Sequence, residues 1–269
     1  MTAPGHAEAE AAEAGPAASD PALPDLTGRV VWVTGAGRGL GRAIAEGLAA
    51  AGAHLAVTAR TAADLDSLAA ALPGQVEVLP ASVDRLEEVE AAARAVADRT
   101  GRLDGLVNCA GISPDFTRSE RLDADRWRRV LDVNLTGTFH CCREAGRIML
   151  ERGGGSIVNV SSVHARAGFG RIAAYAASKG GVEALTRTLA VAWADRGVRV
   201  NTLAPGYFRT DLSAGLLDSR HGERVVGAVP MGRVGRAAEL AGAAVYLVSD
   251  AARYVTGATL TVDGGWTAW

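Results

Sequence analysis

At 269 residues the chain is long enough for one large α/β domain with a sizeable core. A net charge of −2 gives no attraction to nucleic acid or an anionic membrane, and no apolar run approaches the ~18 residues of a membrane span, so neither partner is expected. The three cysteines, Cys109, Cys141 and Cys142, show no CxxC spacing, which points to a reducing cytoplasm and no metal site.

Residues 1–24 are rich in Ala, Glu, Pro and Gly, with no Arg and almost no large apolar residue. They read as a disordered acidic tail, lacking the basic start and apolar run of a secretory signal. Residues 25–269 show no internal repeat and no second boundary. Arg29–Thr34 is a short β-branched run suited to a buried parallel strand. It enters the loop Gly35-Ala-Gly37-Arg38-Gly39-Leu40-Gly41 and then the helical stretch A-I-A-E-G-L-A-A. Strand, glycine turn and helix together form a site for a pyrophosphate, held on amide N–H groups at the helix start.

The second strand, His54–Thr58, is followed by Ala59 and Arg60. An acid at this point binds a free ribose 2′-hydroxyl, whereas an arginine accommodates a 2′-phosphate. With no acid there, and Arg38 able to close on the same phosphate, NADP(H) is favoured over NAD(H); both are also readable as surface arginines. Val76–Pro80 and Leu106–Cys109 are further strands, with helical periodicity over Arg85–Arg99 between them. Asp123–Met149 reads as one long helix with Trp127, Val130, Leu131, Val133 and Leu135 among its apolar positions. Cys141 and Cys142 on it read as packing.

Ser156–Ser161 is the fifth strand, and Ser162 stands at its carboxyl end, where open α/β sheets place their ligands. The helix Ala173–Ala194 carries Tyr175 and Lys179, an i, i+4 pair on one face. Lys179 is the only lysine among 28 basic residues, so this position needs a compact ammonium rather than a planar guanidinium. A neighbouring ammonium favours the phenolate and draws a tyrosine down from its usual ~10 towards working pH, and a serine hydroxyl holds the substrate oxygen beside it. Val198–Leu203 forms the sixth strand, residues 211–229 a lid bearing Leu212, Leu216, Leu217, Arg220, His221 and Arg224, Ala237–Ser249 a helix, and Thr259–Val262 the last strand.

The Thr34-Gly35-x-x-x-Gly39-x-Gly41 spacing, with Ser162, Tyr175 and Lys179, closely resembles the short-chain dehydrogenase/reductase family from about Leu26 to Trp266. Its one-domain branch includes the 3-oxoacyl-carrier-protein reductases and gluconate-type dehydrogenases. The resemblance implies a doubly wound Rossmann-type parallel sheet with helices on both faces in a single domain. It also implies an enzyme that interconverts a ketone and a secondary alcohol, with Tyr175 as general acid/base. Asn134 is implied as a fourth catalytic residue, holding a water that joins Lys179 to solvent. Ser82-Val83 stand where the family has an Asp-Val pair at adenine, with Asp84 one place late. Asn108-Cys109-Ala110-Gly111 stand for Asn-Asn-Ala-Gly, so Cys109 departs from the pattern and reads as packing. Pro205, Gly206 and Thr210 are implied over the nicotinamide.

Tyr207, in a P-G-Y-F similar to the gluconate-type enzymes, and His164 are the candidate substrate contacts, although a plain loop histidine fits His164 equally. The substrate class stays open between a 3-oxoacyl thioester, a polyketide-type ketone and a sugar acid. Arg143, Arg147 and Arg187 are candidates for a carrier-protein face. The family is commonly tetrameric, through the helices bearing Asn134 and Tyr175 and the C-terminal segment, where Trp266 and Trp269 are large apolar groups. The alternative is a nucleotide-binding regulator without turnover, which would have no need of all four catalytic residues.

Overall fold

The computed structural model describes residues 24–114, 116–219 and 222–268; the N-terminal tail, Arg220, His221 and Trp269 lie outside them. Seven strands are β1 (Val30–Thr34), β2 (His54–Thr58), β3 (Val76–Val78), β4 (Gly105–Asn108), β5 (Gly155–Val160), β6 (Val198–Pro205) and β7 (Thr259–Val262). They form one sheet in the order β3-β2-β1-β4-β5-β6-β7, every pair parallel. The order reverses between β1 and β4, which opens a crevice at their carboxyl ends.

Alternation along β1 explains the layers. Val31 and Val33 face one side, where Ile44 and Leu48 of α1 (Gly39–Ala50), Leu65 and Leu68 of α2 (Ala62–Ala71) and Leu240 and Val245 of α9 (Ala237–Val248) complete one core. Trp32 faces the other, with Val89 and Val96 of α3 (Leu86–Thr100), Met149 of α5 (Gly137–Glu151) and Ala190 of α6 (Ala173–Trp193). Both faces are covered, as an all-parallel sheet requires. Cys141 and Cys142 lie fully buried in the second core. Burial pushes the Cys142 thiol up to about 12, as expected of packing residues.

Two elements differ from the sequence expectation. The Ala-rich helix α2 was not anticipated between β2 and β3. The expected helix Asp123–Met149 is instead α4 (Ala124–Leu131), capped by the Asp123 carboxylate, then a π-helical turn over Asp132–Thr136, then α5. The turn inserts a residue without disturbing the run of apolar side chains, and it contains Asn134.

Candidate active site

The glycine loop is built by close approach. Gly35 has φ +68°, and a Cβ on it would lie 2.7 Å from the Ala110 backbone, so a side chain there would push β1 away from β4. Gly39 has φ +57° and faces the Thr210 side chain, which brings the loop after β6 over the glycine loop. A Cβ on Gly41 would strike the Gly35 carbonyl oxygen at 2.2 Å. Helix α1 opens at Gly39 with no acid in its first turn, leaving its N-terminal amides for an anion. Gly37 lies against Ala59 and Asp64, so Arg38 and Arg60, both exposed, flank the junction between the loop and the end of β2. Leu40 packs on the first core, and Pro205 and Gly206 pair with the end of β7. This close-packed turn, which only glycine permits, ends at the open N-terminus of α1 and fits a dinucleotide pyrophosphate.

Ser162 follows β5 in extended backbone, and its Oγ accepts a hydrogen bond from the His164 amide at 3.2 Å. Tyr175 lies in the first turn of α6, near enough for the Ser162 hydroxyl to lower the pKa of its phenol. Lys179, 5% exposed, donates from Nζ to the Val160 carbonyl at 2.8 Å, with Nζ 5.8 Å from the Tyr175 ring centroid. Asn134 is wholly buried. Its Oδ1 accepts from the Ile112 amide at 2.8 Å, and its Nδ2 donates to the Ile112 carbonyl at 2.9 Å and Ser178 Oγ at 3.1 Å. A Cβ on Gly111 would lie 3.4 Å from Asn134 Oδ1 and 3.6 Å from Lys179 Nζ, so both converge beside this glycine. Serine, tyrosine, lysine and asparagine, distant in sequence, are thus brought together.

The electrostatics correct one expectation. Burial holds the Tyr175 phenol above its ordinary value, a shift only partly offset by Ser162. Burial draws Lys179 down to about 8. The ammonium is committed to the Val160 carbonyl and is not among the groups that shift the phenol.

His164 stands in a group of aromatic rings. Its centroid is 5.2 Å from Phe169, 5.6 Å from Tyr207 and 5.4 Å from Trp266. Nδ1 lies 3.4 Å from the Ala167 carbonyl and so carries the proton, which leaves Nε2 to accept from Tyr207 Oη at 3.2 Å. Burial lowers the His164 pKa and keeps it neutral. His164 and Tyr207 are therefore joined to each other, with the His164 amide held by Ser162. The segment expected as a lid contains α7 (Asp211–Leu217) and α8 (Gly222–Gly227), in which Leu217 and Val225 pack on Tyr207. A cavity of about 520 Å³ adjoins Ser162, Arg166 and Trp266 without reaching Tyr175. Tyr175 instead shares a narrow cleft with Ser113, Pro114 and Arg171.

The side chains of several residues expected at the cofactor or substrate are engaged within the fold. Asn108 is 3% exposed and donates to Asn159 Oδ1 at 2.9 Å, within a buried polar row that includes Thr34 and Thr186. Its side chain serves the sheet. Val83 is buried against Gly137, and the Ser82 hydroxyl donates to Asp84 Oδ1 at 2.5 Å, so the late aspartate takes up the serine. Arg143 pairs with Glu90 and Glu144, Arg147 with Glu144, and Arg187 approaches Glu183 at 3.9 Å, so Arg143 and Arg147 at least are committed to carboxylates of this chain. Trp266 covers His164 and Tyr207 of its own chain, so assembly is not needed to explain it. Phe169 and Ser178 were not anticipated; for Ser178 the available signal was its place at i+3 from Tyr175, where its Oγ donates to the Tyr175 carbonyl at 2.7 Å.

A family model described as enoyl-(acyl carrier protein) reductase matches residues 35–267. The D-threitol dehydrogenase of Mycolicibacterium smegmatis is 42% identical over 90% of this chain and 94% of its own. The galactitol 2-dehydrogenase (L-tagatose-forming) of Cereibacter sphaeroides is 44% identical over 91% of this chain and 97% of its own. A crystal structure of a gluconate 5-dehydrogenase from Burkholderia cenocepacia, in complex with NADP and tartrate, superposes with a TM-score of 0.87 at 37% identity, covering 91% of this chain and 97% of that one. No helix among the described residues is long and apolar enough to cross a membrane. With its parallel sheet, glycine loop and relatives named as dehydrogenases and reductases, the chain belongs to the short-chain dehydrogenase/reductase family of NAD(P)-dependent oxidoreductases, which act on alcohol and ketone substrates.

Proposed function

We propose that the protein reversibly interconverts a ketone and a secondary alcohol with NADP(H), using Tyr175 as general acid/base. The observation that carries this is the meeting of Ser162, Tyr175, Lys179 and Asn134 beside Gly111, at the carboxyl end of the sheet. When bound, the nicotinamide supplies or takes up the hydride. The Ser162 hydroxyl holds the substrate oxygen, and Tyr175 gives its proton to that oxygen in reduction and recovers it in oxidation. The raised phenol keeps its proton at neutral pH, which suits an acid in the reducing direction. Lys179 binds the ribose next to the nicotinamide, and Asn134, fixed through Ile112, supports a water that links Lys179 to solvent. Donors preorganised around a developing alkoxide supply a large part of such a rate.

NADP rather than NAD is supported by Arg38 and Arg60 beside Ala59, where no acid ends β2, and by the NADP in the Burkholderia relative. A carrier-protein thioester is less well supported than a small hydroxylated substrate, because the arginines suited to a carrier face are ion-paired. The test is nicotinamide absorbance across a screen of ketones and alcohols with wild type and Tyr175→Phe. Turnover by the wild type that the variant loses supports the reading, and equal turnover rejects it.

A further inference from the structure

We propose that Arg171 is the residue that recognises an anionic group on the substrate, a terminal carboxylate or phosphate on the reacting alcohol or ketone. The proposal rests on the ketone/alcohol reading above and narrows it. Arg171 has φ +72° and is the only non-glycine residue with positive φ among the described residues. A glycine would adopt this backbone freely, whereas an arginine is strained in it; such outliers concentrate at ligand sites. Its carbonyl accepts from the Thr117 amide at 3.0 Å, which ties this strained turn to the loop after β4.

The surroundings give the outlier a task. The Arg171 guanidinium carbon lies 5.4 Å from the Phe116 ring centroid. Phe116 meets Phe169 at 6.1 Å, and Phe169 meets His164, whose amide binds Ser162 Oγ. An aromatic wall therefore runs from the catalytic serine to the guanidinium, and Arg171 shares the narrow cleft of Tyr175. A guanidinium lying over an aromatic ring keeps N–H groups free at its edge, in the planar fork that matches carboxylate and phosphate. Arg166, five positions before it, is neutralised by Glu183 at 2.8 Å. Arg171 has no carboxylate partner among the described residues, so its counter-ion would come with the substrate.

The experiment uses the NADP-saturated protein and three probes with one six-carbon skeleton: D-gluconate, sorbitol 6-phosphate and neutral sorbitol. Binding is read by titration calorimetry and turnover by absorbance. The wild type should bind at least one anionic probe tenfold or more tighter than sorbitol, and which anion gains tells carboxylate from phosphate. Arg171→Gly should lose that tenfold preference, through KM rather than kcat where the probe is turned over, leave sorbitol within twofold and raise Tm by removing the strain. Arg171→Lys should retain part of the preference. No anion preference in the wild type, or equal losses for charged and neutral probes in Arg171→Gly, would overturn the proposal. Anion binding that depends on Arg171 in a protein whose Tyr175→Phe variant turns over normally would instead reject the catalytic reading alone.

Discussion

Lys179 Nζ donates to the Val160 carbonyl at 2.8 Å, which fastens the chain's single lysine to the last residue of β5. The catalytic helix and the strand that presents Ser162 are thus joined by the residue proposed to bind ribose. Burial of that ammonium has a measurable consequence. Its pKa falls from 10.5 to about 8 on folding, so between these values the unfolded chain binds the extra proton. Stability from this group is therefore poorest below about pH 8 and recovers as pH rises towards 10.5, by roughly 3 kcal/mol in full. The raised values of Tyr175 and the buried cysteines act in the opposite direction, so the readout is a difference. In denaturant titrations of the cofactor-free protein, wild type should gain on Lys179→Met between pH 8 and 10. A constant gap would show that the ammonium is not desolvated.

Tyr175→Phe should keep the fold and NADPH affinity within about twofold while lowering kcat by about 10²–10⁴, the usual contribution of a positioned acid/base. The half-buried ring keeps its packing, and only the phenolic proton disappears. Stopped-flow rates with fluorescence binding separate the two effects. Near wild-type kcat would remove the phenol from the reaction.

Asn108→Ala should destabilise by about 1–3 kcal/mol, because Asn159 and Thr34 lose a buried partner. That is several degrees of Tm in a domain of this size, while KM for NADPH in the folded fraction stays within about twofold. A large KM change with unaltered Tm would place the amide at the cofactor after all.

The contrast between Asn108 and Gly35 shows what could be read in advance. Gly35, Gly39 and Gly41 were legible because a strand, a turn and a helix adjoin in sequence, and Ser162, Tyr175 and Lys179 because a strand end and one helix face hold them. The side chain of Asn108 was not legible: its orientation depends on Asn159 and Thr186, 51 and 78 positions away, which pair only when β4, β5 and α6 assemble. For Ser82 the unread partner is nearer, Asp84, which takes its hydroxyl. The π turn left no mark in the apolar pattern around Asn134, since one added residue keeps Val130 and Val133 inside.

Cofactor preference should follow Arg38 and Arg60. Arg38→Ala with Arg60→Asp should weaken NADPH by roughly 10–100-fold, the worth of one or two charge-assisted hydrogen bonds, and alter NADH by less than threefold. Both dissociation constants come from nucleotide fluorescence. A wild type that already prefers NADH would contradict the 2′-phosphate assignment.

Assembly should bury the apolar side chains left in water on α5 and α6. Phe139 is 42% exposed and Val191 84%, on the helices expected to meet in a tetramer. Light scattering at micromolar concentration should give a tetramer for wild type and a smaller species for Val191→Arg, whose buried charge would lack a partner. A wild-type monomer would reject the assembly.

The single lysine also permits a chemical test of the whole site. Apart from the α-amino group, Lys179 is the only amine in the chain, and at 5% exposure it is screened even without cofactor. Mild acylation should therefore modify the N-terminus first and Lys179 slowly, the second step going faster above pH 8, where the amine is neutral. Bound NADP should slow that second step further if Nζ lies against the ribose. Activity should fall in proportion to the second modification alone, because acylation removes both the charge and the donor to Val160. Lys179→Arg should stay well below wild-type activity, since a planar fork keeps the charge but cannot occupy the compact space beside Gly111. Intact mass and residual rate along one time course give both quantities. Full activity in doubly acylated protein would show that Lys179 takes no part in the reaction, and with it the proposed ribose contact would fall.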